Sequence, residues 1–319
     1  MKAARVLVFG ATGFVGRHVS AAFSAAGHPV VHVARRVPAD AVGLWAPLDL
    51  AEAGRQQLTG FLRTHRPQVV VNAAGVVWQA DERRMQDINL AFVRRLVDVL
   101  PLLAGPPRLI QVGSVHEYGP VPTGVDIVED LVPRPVSAYG RTKLAGARCV
   151  LEAATGDLQA VVLRVANACG PGTPPESLLG VVAAHLRRQA GSARAPEPLR
   201  VAPLRAYRDF VDVRDVADAV VQAAVSRTDL SGRVFNVARG TAVGVRDLVE
   251  RMISLSGLPV AIVEESGPAA VRSDAEWQRV DIGSARTVLG WKPERDLDES
   301  LRDVLVAAGV QPQEGEERR

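Results

Sequence analysis

The stretch Arg5 to Gly16, Arg-Val-Leu-Val-Phe-Gly-Ala-Thr-Gly-Phe-Val-Gly, constrains this chain more than any other. Val6 to Phe9 is an unbroken apolar run, the pattern of a central parallel strand covered on both faces. Gly10, Gly13 and Gly16 then mark a tight turn into an apolar helix that reaches about Ala26. The spacing is Gly-x-x-Gly-x-x-Gly. A turn of this kind lets backbone approach a pyrophosphate, whose charge rests on the amides of a helix N-terminus. The stretch predicts a dinucleotide-binding strand-turn-helix, with Gly10, Thr12, Gly13, Phe14, Val15 and Gly16 against the cofactor.

Strand and helix patterns then alternate. Val30 to Ala34 is a second strand closing on Arg35-Arg36, where a dinucleotide fold faces the adenosine ribose. An acid at that point binds the 2′-hydroxyl, and an arginine accommodates a 2′-phosphate. Two arginines and no acid, Asp40 lying too far along, favour NADP(H), with NAD(H) possible; a solvated basic turn would read the same way. Asp49 and Leu50 follow a short extended piece, where a carboxylate could meet the adenine amino group. Val69 to Val71 is a third strand leading to Asn72-Ala73-Ala74-Gly75, and the small Ala73 and Ala74 let the cofactor pack against backbone. An amphipathic helix runs from about Met85 to Leu103. Leu109 to Val112 is a fourth strand, and it delivers Gly113-Ser114-Val115-His116-Glu117-Tyr118-Gly119 to the same edge.

The next helix starts near Ala138 and carries Tyr139 and Lys143, four residues apart on one face. A phenol near pKa 10 is a poor acid-base group at neutral pH, and an adjacent ammonium stabilises its phenolate and lowers that value. Of 38 basic residues only Lys2, Lys143 and Lys292 are lysine, so an internal lysine needs a reason. Ser114 taken alone could equally be a serine of a strand-end turn.

Beyond a fifth strand, Ala160 to Val165, the rhythm breaks. Residues 166 to 207 are rich in Pro and Gly, with a helix about Ser177 to Arg188 and a loop from Gly191 to Pro198. Val213 to Ala224 is an amphipathic helix and Val234 to Val237 another strand; Val245 to Ser256 and Leu297 to Ala308 read as covering helices. The expected fold is α/β: a Rossmann-type doubly wound parallel sheet with a smaller C-terminal α/β substrate-binding domain. Residues 1–166, joined again by about 209–238, would bind the dinucleotide; 167–208 and 239–310 would bind substrate. Gln311 to Arg319 has mixed charge and no apolar anchor and is expected to be disordered.

A net charge of only +3, with arginine and acid interspersed, gives little support to nucleic-acid binding. The apolar runs fall far short of a membrane span, and Met1 leaves no room for a signal peptide before the first strand, so a cytoplasmic protein is expected. Cys149 and Cys169 fit neither a disulfide framework nor a zinc spacing and read as small buried residues; no metal site is visible.

Several ordered motifs together resemble an extended short-chain dehydrogenase/reductase, and more narrowly the NAD-dependent epimerase/dehydratase group acting on nucleotide sugars. They are the loop Gly10 to Gly16, Asn72-Ala73-Ala74, Ser114 before Tyr118-Gly119, Tyr139 with Lys143, Asn167 before Gly170-Pro171, Arg208-Asp209-Phe210-Val211-Asp212-Val213, and Leu289-Gly290-Trp291-Lys292-Pro293. The resemblance covers about residues 4 to 310. It implies that Tyr139 donates or accepts a proton at the sugar oxygen, that Lys143 binds the nicotinamide ribose and tunes that tyrosine, and that Ser114 hydrogen-bonds the reacting oxygen. It implies substrate contacts from Asn167, Arg208 and an arginine near Arg279 to the diphosphate, and homodimerisation through the helices of residues 85–103 and 138–155. From the residues alone, Asn167 could instead cap a turn, and Arg208 could pair with Asp209 or Asp212.

Within that group, sugar 4,6-dehydratases carry an acid two positions past the serine or threonine. Here His116 stands there, which argues against dehydration. His116 would lie nearest the C5 side of the sugar, as an acid-base residue or as a hydrogen-bonding contact. The wording Gly-Ser-Val-His-Glu-Tyr-Gly, with Arg164-Val165-Ala166-Asn167 and Ser177-Leu178-Leu179-Gly180, resembles 4-ketoreductases of antibiotic deoxysugar pathways, which reduce a nucleotide-bound 4-keto-6-deoxyhexose. Arg35-Arg36 favour such a reductase over an NAD-retaining 4-epimerase. A non-catalytic NADP-sensing regulator would typically lack the tyrosine or the lysine. A serine hydrolase fails because Ser114 lacks the Gly-x-Ser-x-Gly elbow.

Overall fold

The valine-rich runs become one sheet because each carries apolar side chains on both faces, so each strand must be covered above and below. Val6 and Val8 enter one core while Leu7 and Phe9 enter the other, and Val69, Val71 and Val70 divide the same way. Each such side chain contributes roughly 1.5–3 kcal/mol on burial. The computed structural model describes residues 3–77, 81–154, 158–191, 195–265 and 276–313.

The first half contains β1 (Val6–Phe9), α1 (Phe14–Ala25), β2 (Val30–Ala34), β3 (Leu44–Pro47), α2 (Arg55–His65) and β4 (Val69–Asn72). Next come α3 (Glu82–Gln86), a π-helical turn Asp87–Ala91, α4 (Phe92–Val99), β5 (Arg108–Ser114), β6 (Asp126–Ile127), α5 (Ala138–Ala153) and β7 (Ala160–Val165). The remainder is β8 (Asn167–Cys169), α6 (Leu178–Ala190), β9 (Leu199–Val201), β10 (Tyr207–Asp212), α7 (Val213–Val225), β11 (Arg233–Val237), β12 (Ala242–Gly244), α8 (Val245–Ser256), β13 (Ile262–Glu264), β14 (Arg279–Val280) and α9 (Leu297–Ala307).

Seven strands form a sheet in the order β11-β7-β5-β4-β1-β2-β3. Every pairing in it is parallel. Helices α1 and α7 pack together on one face, and α2, α4 and α5 cover the other. Strand order reverses between β1 and β4, and at such a switch point ligands bind beyond the carboxyl ends of the strands. Register places Phe9 opposite both Val33 and Asn72, and Asn72 opposite Gln111, so the loops after β1, β2, β4 and β5 leave one edge.

Strands β12, β10 and β8 form a separate three-stranded sheet, and α6, α8 and α9 bury Leu179, Leu186, Leu248, Met252 and Leu301 in a third core. The stretch 209–238 therefore does not rejoin the main sheet as one piece. The β10 strand pairs with β8 and β12, whereas α7 lies on α1 and β11 extends the main sheet beside β7. The expected disordered end is also shorter than 311–319. The Gln313 amide donates to the Leu255 carbonyl at 2.9 Å, because the turn after α9 folds the chain back onto α8; residues 314–319 lie outside the described residues.

Candidate active site

The turn after β1 is a cradle that side chains would fill. Gly10 has φ +77°, and a Cβ there would stand 2.8 Å from the Ala74 backbone. A Cβ on Gly16 would be driven into the Gly10 carbonyl, so α1 can approach β1 this closely only with glycine in its first turn. The Gly13 amide donates to that same Gly10 oxygen at 2.9 Å. Gly13 caps α1 without a side-chain acceptor, which leaves amides of the first turn directed at the switch point. Thr12 is exposed, and Phe14 and Val15 are half-buried. A narrow glycine cradle facing helix amides fits a dinucleotide pyrophosphate.

Arg35 and Arg36 follow β2 directly and are both exposed. Asp49 is exposed, and its Oδ1 accepts from the Ala51 amide at 3.0 Å, while Leu50 is buried. After β4, Asn72 donates to Gln111 Oε1 at 2.8 Å and accepts from the Ala74 amide at 3.2 Å, which fixes the Ala73–Ala74 turn. Asn89, in the π-helical turn, holds both backbone groups of Val76 and donates to Thr142 Oγ1 at 3.1 Å.

The proton-handling groups meet where β5 ends. Ser114 is 6% exposed, and its Oγ accepts the His116 amide at 3.3 Å. The Ser137 hydroxyl caps α5 by accepting from Gly140, which aims Tyr139 from the first turn. The Ser114 side chain hydrogen-bonds the Tyr139 phenol. The Tyr139 ring lies edge-on to His116, centroids 5.9 Å apart. Lys143, 6% exposed, donates from Nζ to the Val112 carbonyl at 2.6 Å. Burial, Ser114 and Glu117, rather than Lys143, are what move Tyr139 in this structure. Burial pushes Tyr139 up to about 12; the Ser114 hydrogen bond opposes this and the Glu117 charge adds to it. Burial also pulls Lys143 down, with Glu117 opposing. His116 is pulled down to about 4 by burial and then by the Arg208 charge, so it is a neutral imidazole at neutral pH.

Arg208, on β10, is buried, and burial lowers it to about 10. Its sequence neighbours are otherwise engaged: Asp209 accepts the amides of Arg239, Gly240 and Val280, and Asp212 binds Arg214 and Ser300. Asn167 is half-buried and donates to the Asp209 carbonyl and to Gln278 Oε1, each at 2.9 Å, so it bridges strands rather than capping a turn. Arg279 adjoins that glutamine; it pairs with Asp126, and its guanidinium lies 5.7 Å from the Trp277 ring centre. The structure thus groups Ser114, His116, Tyr139 and Lys143 with Arg208, and sets Asn167 and Arg279 on the adjoining small sheets. Cys169 is buried with its thiol pushed up to about 12, and Cys149 is half-buried; both are free thiols. No group of histidine, cysteine and acidic side chains that could hold a metal occurs among the described residues.

Sequence reasoning missed Glu117 as part of this site. Its carboxylate is wholly buried, pairing with Arg164 Nε at 2.8 Å and accepting the Ser114 amide at 2.8 Å. The signal was present in β7, where an arginine inside an apolar strand requires a buried partner.

Residues 6–238 match the NAD dependent epimerase/dehydratase family. The chain is 40% identical over 311 residues to a dTDP-6-deoxy-L-talose 4-dehydrogenase (NAD(P)(+)) of Kitasatospora kifunensis, covering 97% of each chain. It is 30% identical over 316 residues to a GDP-6-deoxy-D-mannose reductase of Pseudomonas aeruginosa, covering 94% of this chain and 96% of that one. The solved structure of RMD from Pseudomonas aeruginosa complexed with NADPH superposes with a TM-score of 0.81 at 27% identity, covering 96% and 98% of the two chains. No helix among the described residues is long and apolar enough to cross a membrane. With a glycine cradle at the switch point and a Ser-Tyr-Lys cluster beside it, this chain belongs to the NAD-dependent epimerase/dehydratase family and is an NAD(P)-dependent enzyme of the extended short-chain dehydrogenase/reductase type.

Proposed function

We propose that the enzyme reduces the C4 ketone of a nucleotide-activated 4-keto-6-deoxyhexose, with dTDP as carrier and NADPH as reductant, in deoxysugar and antibiotic biosynthesis. The observation that carries this reading is the half-buried, protonated Tyr139 hydrogen-bonded to Ser114 at the strand edge that also holds the glycine cradle. The similarity to a dehydrogenase acting at position 4 of a dTDP-6-deoxy sugar supports it, since that oxidation run backwards reduces a 4-ketone.

When bound, NADPH supplies the hydride that reaches the carbonyl carbon. The Ser114 hydroxyl, its oxygen already occupied by the His116 amide, directs its own proton toward Tyr139 or the substrate oxygen and orients that oxygen. Tyr139 then gives its phenolic proton to the developing alkoxide on O4, a general-acid step worth about 10²–10⁴-fold. Lys143, next along the helix face, contacts the nicotinamide ribose. His116, neutral, hydrogen-bonds a sugar hydroxyl beside Tyr139, and Arg208 with Asn167 and Arg279 takes the diphosphate. Exposed Arg35 and Arg36 receive a 2′-phosphate, which favours NADP(H) over NAD(H). In this scheme residues 1–166 with 213–238 hold the cofactor, and 167–212 with 239–310 hold the sugar nucleotide. Two copies would associate through α4 and α5, which sedimentation velocity would test.

The deciding experiment follows nicotinamide absorbance when purified protein meets dTDP-4-keto-6-deoxyglucose with NADPH and, separately, NADH. Oxidation with strong preference for NADPH is expected. No oxidation of either, with NAD released on denaturation, would replace this reading by a sugar-nucleotide 4-epimerase; no cofactor signal at all would favour a regulator.

A further inference from the structure

A buried ion pair lies beneath the proton-handling groups and carries more than stability. Glu117 and Arg164 have side chains 0% and 4% exposed. Desolvation largely offsets the attraction within such a pair, so stability alone is a poor reason for one. Its ends are tied differently. The cation lies 4.3 Å over the Tyr118 ring, and Tyr118 donates to Asn236 Oδ1 of β11 at 2.8 Å. The anion points the other way, to the end of β5.

There Glu117 and Lys143 bracket a single residue. Lys143 Nζ holds the Val112 carbonyl at 2.6 Å, Glu117 Oε1 holds the Ser114 amide at 2.8 Å, and Gly113 lies between them. A Cβ on Gly113 would stand 2.7 Å from that carboxylate oxygen, so the carboxylate lies directly against the strand backbone. The same turn is closed reciprocally, with Ser114 Oγ accepting from the backbone and Glu117 accepting from Ser114. The charged and titratable groups around Lys143 are Glu117 and His116 on this turn, Tyr139 on α5 and Arg164 on β7, with Arg208 of β10 beyond His116.

We propose that Glu117, anchored by Arg164, is a positioning residue for the reduction: it sets the backbone that presents the Ser114 hydroxyl, and it is the counter-charge that keeps Lys143 an ammonium in a buried site. The kinetic part of this rests on the ketoreductase reading; the electrostatic part does not. The carboxylate opposes the pull of burial on Lys143.

The chain has three lysines, so protein labelled with ¹³Cε-lysine gives three resonances, and loss of one in Lys143→Met assigns Lys143. The Glu117→Gln/Arg164→Met variant removes both buried charges while Gln retains an acceptor for Ser114. The Lys143 titration midpoint should move acidward by about one pH unit, with Lys2 and Lys292 unmoved. The alkaline limb of NADPH-dependent reduction should move with it. Should the double variant not fold, Glu117→Gln alone is read the same way. Glu117→Asp keeps the charge but shortens its reach, so the Lys143 midpoint should stay near wild type while kcat falls about tenfold with little change in KM. An unchanged Lys143 midpoint in the charge-free variant overturns the proposal. Because that titration needs no turnover, a wild-type protein inactive on the keto sugar would refute the proposed reaction and leave the lysine result to stand by itself.

Discussion

Acid should destabilise this protein through His116. Its imidazole, ordinarily near 6.5, is pulled to about 4 by burial and the Arg208 charge. The unfolded chain takes up a proton on this side chain as pH falls through 6.5, whereas the folded chain does so only near 4. Stability from the neutral ring is thus fully present above the first value and lost progressively toward the second. The complete loss is about 3 kcal/mol, of which roughly 2 kcal/mol has gone by about pH 5. Other groups titrate in the same range and some oppose it. Burial pushes Asp209 up to about 7, so its neutral form adds stability on acidification. The measurement is therefore a difference of differences: urea unfolding followed by tryptophan fluorescence at about pH 7.5 and about pH 5, for wild type and His116→Asn. Wild type should lose roughly 2 kcal/mol more than the variant between the two conditions. Losses equal to within about 0.5 kcal/mol would show that the imidazole is not held neutral by its surroundings, and would remove its assignment as an uncharged contact beside Tyr139.

Three further outcomes follow from the geometry. Tyr139→Phe should fold and bind NADPH yet lower kcat by about 10²–10⁴-fold, and unchanged turnover would take Tyr139 out of the mechanism. Replacing Arg35 and Arg36 together by serine should weaken NADPH about 10–100-fold while leaving NADH within a factor of a few, as read by fluorescence titration; equal losses for both cofactors would place the arginines away from the 2′-phosphate. Gly16→Ala, whose new methyl meets the Gly10 carbonyl, should cost about 1–3 kcal/mol or more in thermal unfolding and abolish cofactor binding. Normal NADPH binding by a folded Gly16→Ala protein would mean that α1 can back away from β1.

The mixture of readable and unreadable features has local causes. The main strands β1, β2, β4, β5 and β7 were evident because strands covered on both faces are written as unbroken apolar runs. Helix α2 passed unnoticed, since Arg-Gln-Gln-Leu-Thr-Gly-Phe-Leu buries only Leu58 and Leu62 and reads as polar. The sheet of β8, β10 and β12 was not legible, because the three-residue β8 and β12 carry no period and pair with β10 only across the fold. Tyr139 and Lys143 could be paired on the page, being one helical turn apart. What Lys143 touches could not, since Val112 is 31 residues away.

Sequence by itself determined the elements whose chemistry is local: the glycine turn that no side chain can share, the alternating strands and helices, and the tyrosine and lysine on one helical face. Tertiary structure alone decided the electrostatics. Whether a phenol is raised or lowered, whether an imidazole is charged, and which carboxylate faces Lys143 depend on burial and on partners far along the chain, here Glu117 with Arg164 and His116 with Arg208. Interactions of that kind follow distance and solvent exclusion in three dimensions, and residue order encodes neither until the chain is folded.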